Sequence, residues 1–316
     1  MEKTYAEIEK KILEARDISL VSHINPDGDN IGSILGLGAA LRKMGKDVHI
    51  LKVDDIPKNL LFLPRVEEIK PMEKRPDLLF VLDSSDEGRL GDGSKEILKA
   101  NYIINIDHHK SNTLFGDINL VDASMSSTGE MVYDLIDFLG VELDNEIATP
   151  IYTAINSDTG SFRYESTSPD TLRKAANLLE FVDNKVEITK NLYQSRTKVQ
   201  TEVIKIVLNT LESFDDLSLI IGKISLNDLE RLGAQSDDTE GVVPFINEIE
   251  GYDVAIFLKE KEEGIVRVSA RSKEVCDVSI LCEKFDGGGH KRAAGATIEG
   301  NLDEAIEKLI SAYKEL

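Results

Sequence analysis

Six residues stand out for what their side chains could do together: His23, Asp27, Asp29, Asp83, His108 and Asp158. They lie in four short segments, His23-Ile-Asn-Pro-Asp27-Gly-Asp29, Val81-Leu-Asp83, Asp107-His108-His109 and Asn156-Ser-Asp158-Thr-Gly160. The set holds two imidazoles and four carboxylates. Mixed N/O donors of this kind suit Mn²⁺ or a similar borderline-hard ion better than a zinc bound by thiolates. Two divalent cations would balance the charge of the four carboxylates, which would otherwise repel one another strongly. The chemistry implied is that of a paired divalent metal centre.

Each segment read singly has a plainer meaning. Pro26 and Gly28 make a turn from which Asp27 and Asp29 emerge, and glycine permits the bend that brings both near neighbouring metal positions. Many turns rich in Asp, Asn and Pro look the same. Asp83 ends the run DLLFVLD, where a lone acid is usually a helix cap, with Ser84, Ser85 and Asp86 as rivals. His108 and His109 are adjacent at a strand end and so point to different sides. One can bind metal while the other faces substrate, and Asp107 can orient an imidazole. Asp158 closes an apolar helix, where a carboxylate meets the negative end of the dipole unless a cation is near. His49, alternating with apolar neighbours in DVHILKV, reads as an ordinary strand residue.

The elements that must position these residues follow from the hydrophobic pattern. A first helix carries Tyr5, Ile8, Ile12 and Ala15 at helical spacing. Strands are expected at 18–24, 48–53, 77–83, 102–106 and 118–121, with helices at 31–44, 95–99, 128–139 and 146–156. This alternation implies a parallel or mostly parallel sheet. His23, Asp83 and Asp107–His109 then fall at carboxyl ends of strands, where open α/β sheets bind their ligands. From Ser168 to about Glu212 the pattern is helical, with a connecting helix at 197–211. Strands resume at 217–224, 254–258, 266–271 and 294–298, the run Lys259–Glu263 reads as a hairpin turn, and a helix at 302–313 closes the chain. The fold class expected is α/β. An N-terminal domain (1–190) has a mostly parallel sheet flanked by helices. A helical linker (191–212) leads to a smaller C-terminal α/β domain with a mixed sheet (213–316).

The bulk properties agree with that division. The 316 residues suffice for two domains, and 41% hydrophobic with 30% charged residues marks a globular chain. The N-terminus reads as an amphipathic helix and not a signal peptide, and the apolar stretch 34–41 is far short of a membrane span. A cytoplasmic protein without a membrane partner is expected. Cys276 and Cys282 read as buried thiols. The net charge of −21 argues against sequence-blind binding to long or duplex nucleic acid. Short anionic substrates remain open, since cations attract them locally.

The four segments also resemble a known family. HINPDGDNIGS, VLDSSD, DHHKSN and NSDTG stand in the order and approximate spacing of the four motifs of the DHH phosphoesterases. GGGHKRAAGA, residues 287–296, is similar to the signature of the DHH-associated domain, and the chain looks most like the bacterial nanoRNase/pAp-phosphatase group. The resemblance implies two divalent ions, Mn²⁺ first with Mg²⁺ or Co²⁺ as alternatives. His23 and Asp27 would hold one metal, and Asp29, His108 and Asp158 the other, with Asp83 bridging. His109 would face the scissile phosphate as ligand or general acid, supported by Asp107. Asn30, where many members have a small residue, departs from the pattern.

In the second domain Gly287, Gly288 and Gly289 would offer backbone N–H groups to an anion, with charge from His290, Lys291 and Arg292. Arg271 resembles the family's terminal-phosphate arginine, and Arg163 follows the last ligand. The activity implied is hydrolysis of short oligoribonucleotides, linear dinucleotides such as pApA, and 3′-phosphoadenosine 5′-phosphate (pAp) to nucleoside 5′-monophosphates. Water would attack phosphorus in line with the leaving 3′-oxygen, in a cleft between the domains, its pKa lowered by metal to about 7. A homodimer is consistent with the resemblance. A soluble cyclic-dinucleotide phosphodiesterase would use the same residues. A manganese pyrophosphatase would have a more lysine-rich clamp than GGGHKRAAGA, and a DNA exonuclease would need further domains. A metal-free nucleotide-binding module is disfavoured because all six ligands are present.

Overall fold

Buried apolar runs of the N-terminal half form a six-stranded, all-parallel sheet in a computed structural model that describes residues 2–316. Met1, with which the expected first domain begins, lies outside the described residues. The strands are β1 (Asp17–Val21), β2 (Asp47–Leu51), β3 (Ile69–Lys70), β4 (Leu78–Leu82), β5 (Tyr102–Asp107) and β6 (Ile118–Val121). Central β4 is buried at every position, as a strand covered on both faces requires. Helices α1 (Glu2–Glu14), α2 (Gly28–Lys43), α3 (Ser94–Ile97), α4 (Thr128–Phe138) and α5 (Asn145–Asp158) accompany them. Tyr5, Ile8 and Ile12 of α1 are buried, as their spacing predicts.

The strand order is β3-β2-β1-β4-β5-β6. The chain therefore runs outward from β1 to β3 and then returns to lay β4 on the other side of β1. Where successive crossovers diverge in this way, a crevice opens at the carboxyl ends of the two strands. Val21 pairs with Val81 and Leu82 with Ile106, so the residues that follow β1, β4 and β5 emerge side by side.

Glycines decide how closely the helices above that crevice approach. Gly28, Gly32 and Gly36 recur every four residues and so share one face of α2. A Cβ on Gly32 would lie 2.4 Å from the Pro150 carbonyl oxygen, and one on Gly36 2.4 Å from Ile151 Cγ1. Gly28, at the start of α2, faces Ser157 near the end of α5. The two helices thus run antiparallel in close contact, which draws Asp158 towards Asp27 and Asp29.

Helices α6 (Pro169–Leu179) and α7 (Lys185–Tyr193) complete a first unit that ends at Ser195. The second unit runs from Arg196 to Leu316. It begins with α8 (Lys198–Asn209), whose Val203 and Val207 pack into that unit's core. Then come β7 (Glu212–Phe214), β8 (Leu219–Ile224), α9 (Leu226–Leu232), α10 (Val242–Asn247), β9 (Val254–Glu262) and β10 (Ile265–Ser272). The chain ends with α11 (Val278–Glu283), β11 (Gly288–His290), β12 (Ala293–Glu299) and α12 (Leu302–Tyr313). The sheet order is β11-β12-β10-β9-β8-β7, mixed because β8 and β9 are parallel and the other pairs antiparallel. Helices α11 and α12 cover the face of Ile256, Val268 and Ala270, while α8 and α10 cover that of Ile220, Ala255 and Phe257.

The expected α/β class, with a parallel first sheet and a mixed second one, matches this architecture. The pattern missed β3, β7 and β11, which have only two or three residues and so carry no periodic signal. The expected turn at Lys259–Glu263 is instead mostly strand. β9 continues to Glu262, and the turn is confined to Glu263-Gly264, with Gly264 at φ 78°. Among the described residues no helix is long and apolar enough to cross a membrane.

Candidate metal centre

The site begins where β1, β4 and β5 end. Ser22 Oγ donates to the Leu82 carbonyl at 2.7 Å and ties the first two strand ends together. Asp83 then turns out of the sheet with φ 55°, a conformation that side-chain-bearing residues adopt rarely and at a cost. Its amide still donates to Ile106 O at 2.9 Å. Asn25 (φ 54°) after His23, and Ser161 (φ 61°) and Phe162 (φ 63°) after Asp158, share this strained geometry. Asn30, the residue that departs from the family pattern, is buried and donates from Nδ2 to the His23 carbonyl at 3.0 Å. It fastens the turn that carries Asp27 and Asp29.

His23 is 3% exposed. Its Nδ1 lies 2.8 Å from Ile24 O, which can only accept, so Nδ1 carries the hydrogen and Nε2 faces Asp83 Oδ2 at 3.2 Å. His108 repeats the arrangement. Its Nδ1 donates to Met125 O at 3.3 Å, and Nε2 stands 3.4 Å from Asp158 Oδ2, 3.8 Å from Asp83 Oδ1 and 3.9 Å from Asp29 Oδ2. His23 thus directs a lone pair at a carboxylate oxygen, an opposition that a cation between them would relieve, and both Nε2 atoms face carboxylates. His109 turns the other way, as adjacent strand-end residues should. Its Nδ1 lies 2.7 Å from Asp107 Oδ1, and Asn112 Nδ2 donates to the other Asp107 oxygen at 2.7 Å.

Asp29 is held by the start of α4. The backbone amides of Thr128 and Gly129 donate to its two oxygens at 2.7 Å each, and Ser33 Oγ adds a third bond at 3.2 Å. A carboxylate at a helix N-terminus is favoured by the exposed N–H groups and the dipole. Gly129 must be small there, since a Cβ would come 2.4 Å from Ala154 Cβ and 3.2 Å from Asp29 Oδ1. Thr128 Oγ1 also donates to Asp83 Oδ1 at 3.0 Å. Sequence reasoning placed the start of α4 at Thr128 but missed this role. The available signal was Ser126-Ser127-Thr128-Gly129-Glu130, a capping segment before an apolar helix.

Besides Asp17, Asp47 and His49, three groups of side chains, all at these strand ends, could hold a cation, each with donor atoms mutually within 4.8 Å. They are His23, Asp27 and Asp83; Asp29, His108 and Asp158; and Asp83, His108 and His109. Asp83 links two of them. Burial, then the neighbouring Asp29 and Asp27, hold the Asp83 carboxyl well above its ordinary value. Burial also raises Asp29. Burial and Asp29 push Asp158 up to about 7. Burial alone would lower His108, but Asp29, Asp158 and Asp83 together raise it to about 9. For Asp107 burial is outweighed by the His109 and Asn112 hydrogen bonds, and its carboxyl is lowered. Buried Asp29 and Asp83, with partly exposed Asp158 and exposed Asp27 beside them, hold more negative charge than His108 can offset, and the donor set fits divalent cations that would balance it. Thr128→Val is accordingly expected to weaken metal binding about 10–100-fold, as loss of a group that orients a ligand usually does. Calorimetric Mn²⁺ titration measures this, and an affinity within about twofold of the native value would show that the hydroxyl does not matter.

The remaining residues singled out in the sequence fall elsewhere. Arg163 follows α5, exposed, with Nε donating to Gly160 O at 2.7 Å. In the second unit Arg271 pairs across β10–β12 with Ala293, which pairs in turn with His290 on β11. Directly opposed residues share a face, so Arg271 and His290 stand at one level of the sheet, two strands apart. Gly287 and Gly289 are pressed against β12, where a Cβ would come 2.3 Å from Gly295 O or 2.5 Å from Ala293 O. Gly288 has open space around it and is exposed, as are His290 and Lys291. Arg292 donates to the Cys276 and Glu274 carbonyls, so its charge serves the main chain and not an anion. His49 lies 3.5 Å from Asp17 and 3.6 Å from Asp47, at the amino ends of β1 and β2 and away from the crevice. Cys282 is buried, whereas Cys276 is only partly so.

Residues 17–155 match the DHH family, N-terminal domain, and residues 216–315 match the DHHA1 domain. The chain is 41% identical over 302 residues to the bifunctional oligoribonuclease and PAP phosphatase NrnA of Thermus thermophilus, covering 94% of this chain and 89% of that one. It is 30% identical to the protein of the same name from Bacillus subtilis, covering 91% of each. The crystal structure of an exopolyphosphatase-related protein from Bacteroides fragilis matches with a TM-score of 0.94 and 26% identity, over 100% of this chain and 96% of the other. With these matches spanning both units, the chain belongs to the DHH family of phosphoesterases, its second unit being a DHHA1 domain.

Proposed function

We propose that this protein hydrolyses short oligoribonucleotides, linear dinucleotides such as pApA, and pAp to nucleoside 5′-monophosphates. The observation that carries the reading is the convergence of His23, Asp27, Asp29, Asp83, His108 and Asp158 at adjacent strand ends, with both imidazole Nε2 atoms aimed at carboxylates. The relatives from Thermus thermophilus and Bacillus subtilis, named as oligoribonuclease and PAP phosphatase, support the choice of substrates.

His23 and Asp27 would hold one metal and Asp29, His108 and Asp158 a second, with Asp83 placed to serve both groups. Divalent cations held there, Mn²⁺ foremost, would lower the pKa of a water to about 7 and offset charge on the phosphoryl oxygens. His109, oriented by Asp107, serves the phosphate as hydrogen-bond donor or gives the leaving 3′-oxygen its proton. Arg271, His290 and the backbone of Gly287, Gly288 and Gly289 take the terminal phosphate or ribose, and Arg163 adds charge. At Gly288 nothing in the fold demands a glycine, which is what close approach of a ligand to the backbone would explain.

The test is one panel with purified protein and Mn²⁺: pAp, pApA, a labelled five-nucleotide RNA, a long RNA and pyrophosphate. AMP from the first two and mononucleotides from the third are expected, with slow or no reaction of the last two. Turnover of pyrophosphate alone would assign the protein to the pyrophosphatases. No turnover of any of them, with no metal bound, would end the proposal.

A further inference from the structure

Within the second sheet, register sets two cations directly opposite one another: Arg267 of β10 pairs with Lys259 of β9. Like charges placed so cost stability. Lys261 joins them, and all three line one cavity of about 490 Å³. Such a concentration is unexpected in a chain with 58 acidic and 37 basic residues. Across the strands Arg267 faces Lys259 on one side and Thr297 on the other, so the register sets no carboxylate against it. Lys259 is half-buried, and its Nζ donates to Thr239 Oγ1 at 2.8 Å. Burial and then the charge of Arg267 push its pKa down, with Glu240 offsetting this only in part. Of the carboxylates on the lining, Glu260 accepts the Leu226 amide at 2.9 Å, and Glu230 sits on the exposed side of α9. Leu226, Leu229 and Ala234 form an apolar wall.

We propose that this cavity binds a phosphate-bearing ligand of mononucleotide size, its phosphate among Lys259, Lys261 and Arg267 and its base against the leucine wall. The volume falls in the range of small-molecule sites, about 300–1,000 Å³. An anion removes the repulsion that the fold leaves standing, and an apolar wall beside it suits a base. The site is separate from the Gly287–His290 segment, which lies on the far edge of the sheet. Arg267 and Arg271 are four residues apart on one strand, hence on one face and about 13 Å apart. A short oligonucleotide spans that distance. The ligand is therefore either a free mononucleotide or the distal nucleotide of an oligonucleotide substrate; only the latter rests on the proposed activity.

The experiment uses the full chain and the double variant Arg267→Gln/Lys261→Gln, with Arg271→Gln as reference. AMP binding, read by equilibrium dialysis without turnover, is expected at two sites on the native protein. The double variant weakens one of them about tenfold or more, as loss of charge-assisted hydrogen bonds does, and Arg271→Gln leaves that one in place. Its melting temperature should stay level or rise, because a cross-strand repulsion is removed, so lost binding would not reflect unfolding. If the occupant is a distal nucleotide, the variant raises KM for the five-nucleotide RNA about tenfold more than KM for pAp. If it is a free nucleotide, AMP changes the native rate on pAp through this cavity, and the variant loses that response. AMP affinity and stoichiometry unaltered in the double variant would overturn the site. A protein that hydrolyses none of the substrates yet loses AMP on substitution would keep the site and end the activity proposal.

Discussion

Replacing Asp83 with alanine is expected to remove metal binding and turnover together, lowering kcat on pAp by about a thousandfold or more. The scale follows from the role, since a metal cluster contributes several kcal/mol of charge stabilisation to the transition state. Asp83 is the carboxylate common to two of the candidate metal groups, with one oxygen 3.2 Å from His23 and the other 3.0 Å from the Thr128 hydroxyl. Removing it separates the two halves of the site. The metal-free protein should respond in the opposite sense. Burial and the charges of Asp29 and Asp27 oppose ionisation of Asp83, so alanine relieves a cost and the apo variant should unfold at higher denaturant than the apo native protein. Metal content by elemental analysis, kcat on pAp and apo unfolding midpoints test this together. Turnover unchanged in the variant would exclude a shared-ligand role. Turnover lost with metal content intact would move Asp83 from holding metal to the chemistry itself.

Asp158→Asn should make the metal-free protein more stable at pH 8 and leave it unchanged at pH 4. Asp158 titrates at about 7 in the folded protein, against about 4 for an unperturbed aspartate. The folded state therefore keeps a proton that the unfolded chain has released. The stability linked to that proton is fully present below about pH 4 and is lost as pH rises through 7. Asn cannot ionise and does not suffer the loss. With Asp158 about one-third exposed, solvent screening reduces the difference to about 1–2 kcal/mol. His108 adds to the same trend. Its folded value of about 9 is raised, so its contribution is present below about 6.5 and disappears as pH rises through 9. Mn²⁺ should reverse the slope, since it binds the deprotonated carboxylates and stabilises the fold more as pH rises. Denaturant unfolding at pH 4, 6 and 8, with and without Mn²⁺, reads both effects. Native and Asp158→Asn curves that stay parallel across that range would refute the account.

Much of the site was legible locally, and the parts that were not share a cause. The turn at His23–Asp29 and the paired histidines are contiguous in the chain, so their spacing alone carries information. The opposite facing of His108 and His109 follows from strand alternation. Asp83 and Asp158 read singly as a cap and a helix end, because what distinguishes them is company that is distant in sequence. Thr128 and Gly129 were missed for the same reason. They hold Asp29 from 99 and 100 residues away, and a capping segment does not announce which carboxylate it will receive. The short strands β3, β7 and β11 have too few residues for a period to show. In the second domain, Lys259 lay in a charged run that suggested a turn, and only its pairing with Arg267 revealed two opposed cations.

The sequence by itself singled out the candidate donors, the α/β class and the placing of His23, Asp83 and His108 at carboxyl ends of strands. Apolar runs alternating with helical spacing can bury both faces only as a covered, mostly parallel sheet. Tertiary structure alone decided that these six side chains come together. The order β3-β2-β1-β4-β5-β6 sets His23 beside Asp83 across 60 residues of chain, and the glycine face of α2 lets α5 bring Asp158 alongside Asp29. Strand order and helix approach depend on which distant surfaces fit together, and no local pattern of residues records that.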